Sequence, residues 1–274
     1  MAVLIIGCGY LGFQVAKQLI AQGQEVHAVT RTRGAELAAA GIQPNVGDIT
    51  GKISLNAYDA VIYAVARDRA SGISMRELYY DGLNNVLDQL PPPARFLYVG
   101  STSVYGQTDG SWVNEDSETE PLEENGRLML ECERLLISRL PHANVVRFAG
   151  IYGPGRILRR AELLAGHPLV GNADKWLNLI HRDDGAAALL AILQQAPAGR
   201  HYLVADNHPV SRRDFYIAAA EVLGAPPAKF EDGPETARHG GHRRISSARL
   251  QSETTWVPKF PSFRQGLPDS VSSV

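Results

Sequence analysis

Cysteine is scarce: 274 residues carry only Cys8 and Cys132. Two thiols cannot build a disulfide framework or a thiolate metal cluster, and both sit among apolar neighbours that suit a buried, reduced side chain. Charge of one sign is not in excess either, with 27 basic against 29 acidic residues and a formal net charge of -2. That balance gives no electrostatic reason to expect nucleic acid or an anionic membrane as partner, so a small molecule is expected instead. No apolar run approaches the roughly 20 residues that span a bilayer. The opening Met1-Ala2-Val3-Leu4-Ile5-Ile6 lacks the basic leader and cleavage site of a signal peptide, so the expected location is cytoplasmic. There is no internal repeat, no metal-ligand spacing of the zinc type and no Gly-x-Ser-x-Gly elbow; no metal is expected.

What is present is a rhythm. Short apolar runs at residues 3–6, 25–30, 60–64, 96–99 and 145–148 alternate with helical stretches at 10–22, 75–89 and 125–139. Continuous apolar strands are expected when helices cover both faces of a parallel sheet, and βαβ units supply such a sheet. The prediction is an α/β protein with a Rossmann-type doubly wound sheet over residues 1–150, to which 176–195 returns. Beyond Gly150 the rhythm is broken by Gly153-Pro154-Gly155 and by scattered prolines. Residues 151–175 and 196–274 are therefore read as a smaller α/β substrate lobe, with helices at 186–194 and 213–223. Ser211 is the expected cap of the second helix and Gly224 its stop, while residues 269–274 are expected to fray.

Gly7-Cys8-Gly9-Tyr10-Leu11-Gly12 follows a strand and opens a helix. In that context the first glycine permits a tight turn, the second lets backbone approach a pyrophosphate, and the third lets helix and strand pack closely. Helix N-terminal amides then face the phosphates. An acid at the end of the second strand would bond a ribose 2′-hydroxyl and repel a 2′-phosphate. The sequence has Thr30-Arg31-Thr32-Arg33 there instead, hydroxyls and guanidiniums suited to a phosphate. NADP is accordingly favoured over NAD as the cofactor, with ordinary surface arginines the open alternative.

By its motifs the chain resembles the extended short-chain dehydrogenase/reductases, the NAD-dependent epimerase/dehydratases, over nearly its whole length. Gly47-Asp48-Ile49 is similar to the family's adenine-contacting segment and Tyr63-Ala64-Val65-Ala66 to the segment that lines the cofactor. Val99-Gly100-Ser101-Thr102-Ser103-Val104-Tyr105-Gly106 resembles the fifth-strand motif, which puts Ser101 at the active-site serine. The segments 146–156 and 180–184 match later signatures in order and spacing. The resemblance implies cofactor contacts from Gly7, Gly9, Tyr10, Leu11, Gly12, Thr30, Arg31, Arg33, Asp48, Ile49, Ala64, Val65, Ala66, Ser101 and Phe148. It also implies a sugar or nucleotide-sugar substrate and, as a further partner, a second copy in a homodimer.

The departure lies at the family's catalytic Tyr-x-x-x-Lys pair, where Asn125 stands in the tyrosine's place and Met129 in the lysine's. Asparagine does not titrate in a useful range, and methionine offers neither charge nor a donor. This is the pattern of the atypical members, which keep the dinucleotide fold and lose the pair. Ser101, Tyr105 and Ser103 are the nearest replacements, Ser101 foremost because the carboxyl ends of strands face the ligand crevice; a serine that only caps backbone is the competing reading. His181, beside Asp183 and Asp184, is read as structural. His239 and His242 with Arg243-Arg244 are read as a solvated loop, with anion binding the alternative. Two functions remain: an epimerase/dehydratase-like oxidoreductase acting on a hydroxyl or carbonyl through a modified site, or a catalytically silent dinucleotide sensor or scaffold.

Overall fold

The computed structural model describes residues 1–67, 72–233 and 241–272. In chain order β1 (Ala2–Ile6), α1 (Tyr10–Ala21), β2 (Glu25–Thr30), α2 (Gly34–Ala39), β3 (Gln43–Val46), β4 (Ala60–Tyr63), α3 (Gly82–Gln89) and β5 (Arg95–Ser101) alternate. Next come β6 (Trp112–Val113), α4 (Glu124–Arg139), β7 (Asn144–Phe148), β8 (Gly150–Tyr152), α5 (Arg160–Leu164), β9 (Leu169–Val170), β10 (Trp176–Leu177) and β11 (Leu179–His181). The remainder is α6 (Arg182–Gln195), β12 (His201–Val204), β13 (Val210–Ser211), α7 (Arg212–Leu223), β14 (Phe230–Glu231), β15 (Arg244–Ile245), α8 (Ala248–Glu253) and α9 (Phe263–Ser272).

One seven-stranded parallel sheet runs in the order β12-β7-β5-β4-β1-β2-β3. The order reverses between β1 and β4, the switch point where ligands of doubly wound sheets sit. Side chains alternate across the sheet: Val3 and Ile5 join the core under α1 and α6, Leu4 and Ile6 the core under α3 and α4. Both faces are thus covered, which is why β1 reads as an unbroken apolar run. A third core, built on Tyr152, Leu163, Phe215 and Phe263, belongs to the smaller lobe. Among the described residues no helix is long and apolar enough to cross a membrane.

Several expectations are corrected. Residues 201–204, assigned to the smaller lobe, form the outer strand of the main sheet against β7. The β3 strand was missed because Pro44 argues against a strand, yet an edge position spares its missing N–H. Helix α6 starts four residues before the expected 186, because His181 Nδ1 accepts the Asp183 amide and caps it. A π-helical turn, Glu77–Asp81, interrupts the expected helix ahead of α3. Residues 269–272, expected to fray, belong to α9, whose Leu267 is buried.

Candidate functional site

A cleft of about 290 Å3 opens at the carboxyl ends of β1, β2 and β4. Gly7, Gly9, Tyr10, Leu11, Thr30, Arg31, Arg33, Asp48, Ile49, Ala64, Val65 and Ala66 all line it. Gly7 has φ +94°, and a Cβ there would lie 2.6 Å from the Val65 nitrogen, so only glycine fits. Gly12 lies behind the cleft, where a Cβ would strike the Gly7 carbonyl; it sets the approach of α1 to β1. At Gly9 nothing lies within 4 Å of where a Cβ would be. The backbone there borders open space at a helix N-terminus, as a phosphate needs. Phe148, expected in this cleft, is instead interior: its ring packs where Gly185 leaves room, 2.9 Å from that residue's Cβ position.

The charged groups of the cleft differ in how far they are committed. Arg33 donates Nε to Glu36 at 2.7 Å, a second nitrogen to the same carboxylate at 2.5 Å, and Nη1 to the Cys8 carbonyl at 2.8 Å. Arg31 is half exposed and 3.8 Å from Asp48, whose Oδ1 accepts from both the amide and the hydroxyl of Thr50. Cys8, pushed up to about 11 by burial, stays a thiol. Sequence reasoning missed a third arginine, Arg156; its only signal was its place in Gly153-Pro154-Gly155-Arg156.

A second cleft of about 680 Å3 lies alongside, lined among others by Arg67, Tyr79, Ser103, Tyr105, Asn125, Trp176, Asn178 and Arg243. Arg67 directly follows Ala66, so the two clefts adjoin along the chain. Ser101 lines neither cleft; its Oγ accepts the Ser103 amide at 3.1 Å and caps the short 3-10 turn of residues 102–104. Ser103 Oγ is buried in the cleft wall and has no hydrogen-bond partner among the described residues. Tyr105 accepts a 2.6 Å bond from Arg147, which forks onto Glu133 at 2.7 and 3.1 Å. Arg147 and Glu133 are 5% and 2% exposed, so the phenol is part of a buried ion-pair network; burial raises its pKa, against the pull of Arg147. Asn125 faces the cleft, while Met129 is buried, its sulfur 3.9 Å from the Tyr98 hydroxyl.

The Arg243 segment is not a solvated loop. Arg243 donates to the Thr102 carbonyl at 2.7 Å, Arg244 lies over the rings of Trp112 and Trp176, and His242 stacks on Trp176 with planes 4° apart. Stacking and the β6–β15 pairing dock it; His239 lies outside the described residues. His181, Asp183 and Asp269 bring ligand-type atoms within 4.8 Å of one another. The imidazole is fully buried against Phe260, at 4.1 Å between centroids, and burial lowers its pKa. Asp184 accepts the amides of Lys259 and Phe260 at 2.7 and 2.8 Å, so this cluster pins the C-terminal segment to α6.

The sequence pattern of the NAD dependent epimerase/dehydratase family matches residues 3–205. The chain belongs to that family. Protein YeeZ of Escherichia coli (strain K12) is 30% identical over 94% of this chain and 96% of its own length. A conserved, functionally unknown protein from Silicibacter pomeroyi superposes with a TM-score of 0.80 at 26% identity, covering 97% of this chain and 96% of that one. UDP-glucose 4-epimerase of Thermus thermophilus, solved with NAD, reaches 0.81 at 19% identity over 100% and 98% of the two chains, a likeness of fold. Of the two residues that the sequence set against the catalytic pair, Asn125 lines the second cleft and the buried Met129 does not.

Proposed function

We propose that this family member binds a nicotinamide dinucleotide over Gly9, NADP in preference to NAD, and acts on a hydroxyl or carbonyl of a sugar or nucleotide-linked substrate in the second cleft. The observation that carries the reading is the pair of adjoining clefts, one bordered by bare backbone at a helix N-terminus and the other large and polar. Gly7, Gly9, Tyr10, Leu11 and 64–66 would hold the dinucleotide, and the half-exposed Arg31 would take the 2′-phosphate because Arg33 is held by Glu36. Bound there, the cofactor supplies hydride chemistry. In this scheme Ser103, whose Oγ is buried in the cleft wall and unpartnered among the described residues, takes the role expected of Ser101 and, once its side chain turns into the cleft, donates a hydrogen bond to the substrate oxygen. Tyr105 keeps its proton at neutral pH, since burial raises its pKa, and steadies the wall through Arg147.

Calorimetric titration with NADPH and NADH, followed by turnover of candidate sugar-nucleotide alcohols and ketones, tests this. Tighter NADPH binding and a turnover lost in Ser103→Ala are expected; no binding of either nucleotide to folded protein would discard the reading. The burial of Met129 against Tyr98, at the position that the motif resemblance gives to the family's lysine, favours a second reading as a silent dinucleotide sensor or scaffold. Tight nucleotide binding with no hydride turnover on any substrate would select it.

A further inference from the structure

Three guanidiniums reach the glycine cleft, and acids already answer two of them. Arg33 closes on Glu36, and Arg31 lies 3.8 Å from Asp48. Arg156 enters from elsewhere, the turn after β8, and among the described residues its guanidinium has neither a hydrogen bond nor an ion pair. It lies over the ring of Tyr10, the residue directly after the second glycine, 5.4 Å from the centroid. Arg182 lies over the same ring at 5.1 Å but carries Asp183 as its counter-ion at 3.0 Å.

The placement is built rather than incidental. Gly153 and Arg156 exchange backbone bonds of 3.0 and 2.8 Å, closing the turn. A Cβ on Gly153 would lie 3.0 Å from the Tyr10 hydroxyl and 3.1 Å from His181 Nε2, so the turn is seated on the glycine-loop tyrosine. The phenol is neutral, its pKa pushed up to about 12 by burial, and offers Arg156 a ring face without a compensating negative charge. A guanidinium unpaired among the described residues, held at the cleft that the glycine loop lines, invites an anion.

We infer that Arg156 is a phosphate-binding residue for the dinucleotide pyrophosphate, racked on Tyr10 and brought in by the turn that leads into the smaller lobe. The inference rests on the dinucleotide reading above. A glycine loop offers amides and a helix dipole worth about half a charge, against two charges on a pyrophosphate. A planar guanidinium supplies the missing charge and can grip two oxygens at once.

Titration calorimetry of the wild type, Arg156→Gln and Arg31→Ala against NADPH, NADH and ADP-ribose separates the possibilities. ADP-ribose keeps the pyrophosphate and lacks nicotinamide. Arg156→Gln should weaken all three by about tenfold, the usual worth of a charge-assisted contact, with a melting temperature close to that of wild type, because among the described residues the side chain gives up its contact with the Tyr10 ring and no ion pair. Arg31→Ala should weaken NADPH alone. Binding of all three ligands by Arg156→Gln within about twofold of wild type would overturn the inference and leave the dinucleotide reading standing. Weakening confined to NADPH would overturn the pyrophosphate assignment in favour of the 2′-phosphate. A folded wild type that binds none of the three would bring down both.

Discussion

The glycine cleft has Gly7, Gly9 and the backbone of residues 64–66 in its wall, whereas the second cleft is lined by residues 67, 75, 79, 103, 105, 122–125, 176, 178, 241 and 243, most with polar or aromatic side chains. In the first, function depends on what is missing from the side chain, so a spacing of glycines after a strand suffices to announce it. In the second it depends on which side chains meet, which only the tertiary fold decides. The second joins stacked aromatics to the Ser103 hydroxyl, unpartnered among the described residues, and rests through Tyr105 on a buried ion pair.

The largest expected effect would break the second wall and leave the first intact. Arg147→Met strands the Glu133 carboxylate in the core and removes the bond to Tyr105. Losing one partner of a buried pair costs roughly 3–5 kcal/mol, so urea denaturation should show a loss of that size. A loss below about 1 kcal/mol would mean that the pair does not hold the cleft wall. The double variant Glu133→Gln/Arg147→Met, which leaves no stranded charge, should recover part of the loss.

How much was legible follows the same division. The strands facing both cores, the cap at Ser211, whose Oγ accepts from the Asp214 amide at 3.0 Å, and the stop at Gly224 with φ +62° each had a local cause readable in the chain. The strand β12 did not, because four residues in a proline-punctuated stretch become a strand only when β7 offers its edge. The π-turn and the early start of α6 turned on single contacts, such as the His181 cap. For Ser101 the sequence left two readings, active-site serine and backbone cap; its Oγ accepts the Ser103 amide, while Ser103 lines the second cleft. Arg156 sat in a quoted motif, but nothing local says that its guanidinium reaches Tyr10.

A pH lever sharpens the comparison by loading the seam between the lobes while sparing both clefts. Asp206 is 3% exposed and its carboxyl is pushed up to about 7 by burial, from an ordinary 3.8. Folded protein therefore keeps a proton that the unfolded chain has lost between about pH 4 and 7, so this group makes stability fall as pH rises through that window. Three pH units of such difference amount to on the order of 4 kcal/mol. His201 opposes it: burial lowers its pKa to about 4, so its share of stability is lost as pH falls below 6.5. The difference between Asp206→Asn and wild type removes that opposition. The variant should be the more stable of the two at pH 8, and the advantage should vanish near pH 4. An advantage independent of pH would show that Asp206 is ionised in the folded state.

Next comes the first wall itself. Gly9→Val adds a side chain into space with no protein atom within 4 Å, so the folded state should melt as wild type does. Nucleotide affinity should nevertheless fall by about a hundredfold, near 3 kcal/mol. Gly7→Ala should do the reverse and unfold the protein at lower temperature, because its Cβ meets the Ala64–Val65 backbone and its φ of +94° disfavours any side chain. If Gly9→Val lost stability instead, the open space at Gly9 would be an element of folding and not a ligand cradle.

The smallest effect tests the longer of the ion pairs that Arg31 and Arg33 make at the glycine cleft. Arg31 lies 3.8 Å from Asp48, half exposed, in water that screens the pair. Releasing it costs the protein little, so Arg31→Ala should leave the melting temperature unchanged. If Arg31 answers the 2′-phosphate, the variant should bind NADPH about tenfold more weakly and NADH as before. Arg33→Ala, by contrast, frees the Glu36 carboxylate and the Cys8 carbonyl. It should therefore disturb both nucleotides together. Should Arg33→Ala alone discriminate between them, the 2′-phosphate would belong to the arginine that Glu36 now holds, and Glu36 would have to give way on binding.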